Sequence, residues 1–233
     1  MGNAFSHNNL GEMYLEGWQG QPKDIAKAVF HLAQAADGGL MHSQSVVGDL
    51  LSKGKGVPAD PPRGFRYQKM AADQGDKVSQ NNVGFCYKNG LGVAKDLKAA
   101  VTYYTLAANQ GFATGQGALA NCYLEGLGTA KDLKKAAFWM EKAANQKDHV
   151  AENNLGYFYQ NAVGVAKDEK KAFEWYQRAA AGGVPSAMYE TALCFQAGKV
   201  VTKDHAKAVE WLRKAQSGGY EGAAQALKQL GEK

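Results

Sequence analysis

Six aspartates, Asp24, Asp60, Asp96, Asp132, Asp168 and Asp204, stand 36 residues apart along the chain. Each is framed alike. A Gly-rich turn precedes it, and a small-residue pair follows eleven residues later: Ala35-Ala36, Ala71-Ala72, Ala107-Ala108, Ala143-Ala144, Ala179-Ala180 and the variant Ala215-Gln216. A period of this length is the signature of a solenoid, in which no unit can bury its apolar face alone and each uses its neighbours to do so. Length alone would allow one or two domains for 233 residues, and the period makes them a single array of six units. Residues 1–224 are assigned to the six repeats and 225–233 to the end of a C-terminal capping helix.

One unit shows the local logic. Val83, Cys86 and Tyr87 recur at i, i+3 and i+4, which places them on one helical face. The same slots hold Leu10/Met13/Tyr14, Val47/Leu50/Leu51, Leu119/Cys122/Tyr123, Leu155/Phe158/Tyr159 and Thr191/Cys194/Phe195. Cys86, Cys122 and Cys194 therefore share a slot with Met13, Leu50 and Phe158 and read as core residues, not as a disulfide or metal set. The turn Gly90-Leu91-Gly92 ends this first helix, because glycine accepts a left-handed C-terminal conformation. Asp96 then opens a second helix, where a carboxylate can accept from the free amides of the first turn. The periodic aspartates are read as six helix N-caps, since successive caps stand apart and do not converge on one site. The second helix carries Val101, Tyr103 and Tyr104 ahead of its alanine pair, with Tyr67, Trp139, Trp175 and Trp211 equivalent to Tyr103. These rings are expected to fill gaps between units.

Two departures stand out: an extra loop residue around Trp18-Gln19-Gly20, and Val200 where a second turn glycine is due. Gly2 lies eight residues before Leu10, the register of the junction residues Gly39, Gly75, Gly111, Lys147 and Gly183. The register suggests a chain cut from a longer array, and it already accounts for the Gly2 that would fit a loose myristoylation pattern with Ser6. No compartment is readable from it.

Charge excludes more than it identifies. The net charge is +5, and the lysines are spread by the repeat itself, so the chain lacks the dense basic run of a nucleic-acid footprint. No apolar stretch has the length of a membrane span. Phosphate loops, dinucleotide fingerprints, nucleophile elbows and His-Glu-x-x-His motifs do not occur, and no cofactor, metal or catalytic residue is assigned. His7, His31, His42, His149 and His205 share no repeat slot.

The string Asn-Asn-Leu-Gly-x-x-Tyr, a Gly-x-Gly-Val turn, Asp, Lys-Ala-x-x-Trp-Tyr and Ala-Ala-x-x-Gly, clearest from Asn153 to Gly183, closely resembles the Sel-1-like repeat, a relative of the tetratricopeptide repeat. The resemblance covers essentially the whole chain. It implies an all-α solenoid, a superhelix of paired antiparallel helices whose first helices line a concave side, and it implies adaptor work. A non-enzymatic scaffold for a protein or peptide partner is the function so implied, with an architectural spacer in a longer array as the alternative. A β-lactamase-like hydrolase, linked to cysteine-rich relatives whose paired cysteines are absent here, is the weaker one.

The candidate contact surface is the face of the first helices opposite the core triad. It carries Asn81 and Phe85, with Asn121, Asn153, Tyr157 and Tyr189 at equivalent slots. Asn9, Asn82 and Asn154 each lie five residues before the helix-one aromatic, a slot that resembles the one from which tetratricopeptide relatives reach a bound peptide. An Asn amide both donates and accepts, which suits gripping a peptide main chain. Val46, Ala118 and Glu190 interrupt the series.

Overall fold

The structure, a computed structural model, describes every residue except Met1, Gln19, Gln21 and Lys233. The extra loop position at Gln19 therefore lies outside the described residues, as does the Met1 that precedes the Gly2–Ser6 pattern. Among the described residues there are thirteen helices and no strand. The first helices of the repeats are α1 (Gly2–Glu16), α3 (Met41–Lys53), α5 (Lys77–Asn89), α7 (Ala113–Glu125), α9 (His149–Asn161) and α11 (Pro185–Ala197). Their partners are α2 (Ile25–Asp37), α4 (Pro61–Asp73), α6 (Leu97–Asn109), α8 (Leu133–Ala144), α10 (Glu169–Ala181) and α12 (His205–Ser217), and α13 (Glu221–Gln229) follows. Gly2 is the first residue of α1, not a turn residue ahead of it.

Each even-numbered helix up to α12 begins at one of the periodic aspartates. Asp132 Oδ1 accepts from Lys135 N at 3.0 Å, and Asp24, Asp60, Asp96, Asp168 and Asp204 do the same one turn into their own helices. The same residue also ties the pair together, because Asp132 N donates to Tyr123 O and Asp168 N to Tyr159 O. Lysine at the third helical position completes the device. Lys135 and Lys171 approach their caps and lie over the Tyr123 and Tyr159 rings, each 5.3 Å from the centroid. These amide bonds hold the carboxyls of Asp24, Asp132 and Asp204 below their ordinary range.

The alanine pairs are buried where consecutive helix pairs meet, with Ala35, Ala36, Ala143 and Ala144 at 0% exposure. Turn residues between pairs are left-handed: Gly39, Gly75, Gly111, Gly183 and Gly219, with Lys147 at φ 64° in the same slot. The core triad holds in the interior repeats, where Val83, Leu119 and Leu155 are fully buried. It fails in α1, whose Leu10 and Met13 are exposed. In the slot expected to fill gaps between units Tyr67 is buried, but Trp139, Trp175 and Trp211 are only half-buried, and the residue after each, Met140, Tyr176 or Leu212, is the buried one. The outward rings are covered by cations instead, Arg178 lying 4.2 Å from the Trp175 ring and Lys214 4.4 Å from that of Trp211.

The chain forms two compact units. One runs to Gly115 and includes Leu127–Thr129, and the other comprises Gln116–Gly126 and everything from Ala130.

Candidate functional site

The buried slot on the second helices is filled by Leu32, Gln68, Tyr104, Met140, Tyr176 and Leu212 in turn. Small residues on the first helices let it approach: a Cβ built on Gly48 would lie 2.7 Å from Gln68, and one on Gly156 2.7 Å from the Tyr176 ring. Beside Gln68 and beside Tyr176 the interface is not filled. Each borders a cavity, of about 200 Å³ between α3, α4 and α5 and of about 190 Å³ between α9, α10 and α11. The two are built from the same repeat positions. Ser52, Gln68, Asn82, Phe85 and Cys86 in the first correspond to Gln160, Tyr176, Glu190, Leu193 and Cys194 in the second, each 108 residues later.

In the N-terminal unit the cavity is neutral. Gln68 Nε2 donates to Ser45 O at 3.0 Å, and its Oε1 accepts from Asn82 Nδ2 at 3.4 Å. Asp49 at the rim is paired with Lys53, and Lys55 lies 3.8 Å away. Phe85 and Leu91 edge the opening with 52% and 44% of their surfaces exposed.

In the C-terminal unit the same slot is charged. Tyr176 Oη donates to Gln160 Oε1 at 2.7 Å, and Gln160 Nε2 reaches Glu190 Oε2 at 3.4 Å. Burial pushes the Glu190 carboxyl above its ordinary range, with the Gln160 bond opposing it. Burial, and the Glu190 charge beside them, also raises the Tyr176 phenol and pushes the Cys194 thiol up to about 11. Cys86 and Cys122 are buried core residues, whereas Cys194 is half-buried in this cavity wall.

The other face residues fall as follows. Phe85 and Tyr157, in one slot 72 residues apart, are both 52% exposed. Asn9 is exposed, and Asn121 and Asn154 are half-buried. Asn153 accepts from Ser186 at 3.2 Å, so its side chain already bridges α9 and α11. Asn81 is half-buried, and its Oδ1 is shielded from solvent without a hydrogen-bond partner. Tyr189 leans on Tyr220, with ring centroids 4.7 Å apart. The structure thus brings Asn82 and Phe85 to one cavity and gives Asn153 a partner within the stack.

Two groupings bear on catalysis. His149 Nδ1 lies 2.8 Å from Glu152 Oε2, and Arg178 Nε lies 3.0 Å from Glu152 Oε1. Glu152 is in register with Gln44, Gln80 and Gln116, which accept at 2.7–2.8 Å from Gln74, Gln110 and Gln146 of the next turn. Gly182 replaces that second glutamine, and the His149 ring fills its place so closely that a Cβ on Gly182 would lie 2.1 Å from it. The trio is a polar joint between helix pairs, not a cleft.

The sequence also contains one Ser-x-x-Lys string, Ser52 to Lys55. Ser52 sits at the end of α3, and the left-handed Gly54 turns Lys55 away from it, toward Asp49. Its hydroxyl is buried without a hydrogen-bond partner and faces Gly64. Among the described residues, no three His, Cys, Asp or Glu side chains are gathered as a metal site. None of their helices is long and apolar enough to cross a membrane.

The Sel1 repeat pattern matches residues 4–40, 42–76, 77–112, 113–148, 149–184 and 185–220. A protective antigen of uropathogenic Escherichia coli strains, whose crystal structure displays an SLR fold, superimposes with a TM-score of 0.91 at 29% identity over 98% of this chain. A Sel1 repeat protein from Oxalobacter formigenes gives 0.89 at 32% identity, also over 98%. The chain spans 49% of the first protein's length and 66% of the second's. The immunity protein Pa5087 from Pseudomonas aeruginosa, at 17% identity and a TM-score of 0.55 over 94% of this chain and 83% of its own, shares the fold alone. Comparison with curated proteins returned no match.

Proposed function

The chain belongs to the Sel1 repeat family, and from that premise we propose that it acts without chemistry of its own, as a scaffold binding a partner protein or peptide on the concave face lined by its first helices. One observation carries this reading. Phe85 and Tyr157 occupy the same repeat slot on the first helices and leave 52% of their surface in water, whereas Tyr67, Tyr104, Phe158 and Tyr176 are buried in the stack; Phe30 and Phe138, on second helices, are comparably exposed. Large apolar rings kept exposed in register are the raw material of an interface, where aromatic anchors supply most of the affinity. Around them the N-terminal unit offers Asn9, Asn81 and Asn82, and the C-terminal unit Asn121, Asn153, Asn154 and Tyr189.

The test is capture of partners by the intact chain and by the double variant Phe85→Ala/Tyr157→Ala, with melting temperature measured on both. Losing two aromatic anchors at about 2 kcal/mol each should abolish capture of the same partners at an unchanged melting temperature. Undiminished capture by a folded double variant overturns the reading.

A further inference from the structure

Glu190 breaks the Asn series at a junction that also holds a cavity and a tyrosine. Its carboxylate has one long hydrogen bond, from Gln160 at 3.4 Å, and among the described residues no cation within ion-pair distance. The rim also carries Glu169 and Lys199, and neither is bonded to Glu190. Glu169 at the rim is paired with Lys167 at 3.0 Å, and the field of exposed Lys199 acts on Glu169. The remaining walls are apolar: Ala172, Leu193, Ala197 and Val200. Buried Tyr176 and Ala172 lie at the inner end, and exposed Glu169, Ala197 and Lys199 at the mouth, so the cavity opens to solvent.

Val200 contributes to that shape. At the preceding turns the register residue is a left-handed glycine, Gly128 or Gly164, and a Cβ there would lie 2.0 or 1.9 Å from the carbonyl oxygen of Leu97 or Leu133. Val200 carries a side chain and is not left-handed, and it stands as part of the cavity wall.

A half-buried carboxylate without a counter-charge is costly to keep, and a ligand that brings the missing cation recovers that cost on binding. We propose that the cavity between α9, α10 and α11 receives a lysine side chain of the partner, its ammonium held by Glu190 and Gln160 and its methylene stem lying on Ala172, Leu193 and Val200. An ammonium carries three donors. Glu190 offers its carboxylate oxygens and Gln160 its Oε1, while the Tyr176 hydroxyl fixes that amide's orientation. The volume of about 190 Å³ exceeds the roughly 150 Å³ cavity that admits benzene. Long basic side chains suit such a site because the stem can be buried while the head meets its charge. This assignment rests on the scaffold reading for its biological partner, but the pocket itself can be tested without one.

The probe is N-acetyl-lysine-N-methylamide, titrated into the intact chain with methyl resonances of Leu193 and Ala197 observed by NMR. Saturable shifts at those methyls are expected. Binding should weaken at least ten-fold for the Nε-acetylated probe, for the norleucine analogue, and for wild-type probe on Glu190→Gln. Equal binding of the neutral probes, an unchanged affinity in Glu190→Gln, or no saturable shift overturns the proposal. Tighter binding of the arginine analogue overturns the choice of lysine. Failure here with capture still dependent on Phe85 and Tyr157 removes the pocket and leaves the scaffold. A bound probe with capture unaffected by those rings does the reverse.

Discussion

The same junction appears twice in this molecule, once lined by neutral amides and once by a carboxylate. Between α3, α4 and α5 a glutamine and an asparagine satisfy each other across a small cavity, and the rim charge on Asp49 is matched by lysines. Between α9, α10 and α11 a tyrosine and a glutamate take those places, and the glutamate is left with a single long bond from Gln160. Register and volume are close to equal; what differs is the side-chain chemistry, together with the turn at Val200, which is not left-handed where Gly92 is. A repeat scaffold can hold its geometry constant and vary what one junction recognises.

Four experiments would break or sharpen that contrast. The largest effect is expected from Tyr176→Ala, which should cost about 3–5 kcal/mol, the range for truncating a buried ring. Gln68→Ala should cost distinctly less in chemical denaturation, because fewer packed atoms are removed. Equal losses would mean that the tyrosine contributes no more packing than the amide.

Next comes Asn82→Asp, which imports the carboxylate into the neutral cavity. It should cost about 1–3 kcal/mol at pH 7, the penalty of an imperfectly satisfied buried group, and the loss should shrink as the acid is protonated. Glu190→Gln is the reciprocal change. The folded-state carboxyl of Glu190 sits above its unfolded value, so the folded chain binds that proton more strongly in the window between them. Stability is therefore lost as pH rises through that window, and Glu190→Gln should raise the melting temperature at neutral pH and lose its advantage in acid. Tyr176 and Cys194 are held high and Glu169 low, so none of the three titrates in the same window. A melting-temperature difference independent of pH would refute the assignment of that window to Glu190.

A smaller effect separates the backbones of the two regions. Ala162, at φ 57°, ends α9 where Gly90, at φ 72°, ends α5. Ala162→Gly should gain about 1 kcal/mol and Gly90→Ala lose about as much, since a left-handed backbone disfavours a Cβ. A Cβ on Gly90 meets nothing closer than 3.5 Å, so the measured loss isolates backbone strain.

The smallest effect is kinetic. Cys86 and Cys194 both touch their cavities, but Cys86 is buried and Cys194 half-buried. Both thiols are raised by burial, Cys194 to about 11, so native labelling should be slow at both, with Cys194 the faster by a few-fold on access. Mass spectrometry of partially labelled native chain would show the order, and faster labelling of Cys86 would count against the described walls.

The sequence by itself determined the repeat, the helix pairs and their boundaries, because these follow from local chemistry at fixed spacing. An aspartate before a helix caps it whatever lies far away, a glycine at φ 65–99° ends or links one, and a 3.6-residue stripe sets the buried face. It also marked Glu190 as an exception among the Asn positions. Only the tertiary structure showed that Glu190 faces a cavity, that Tyr176 and not Trp175 is the buried ring, and that Asn153 is already bonded to Ser186. Those outcomes depend on which residues of three separate helices converge, and on how tightly glycines such as Gly156 allow them to close. Spacing within one helix specifies a face. What that face meets is fixed by residues one repeat away, whose volumes and charges add up only when the helices are packed.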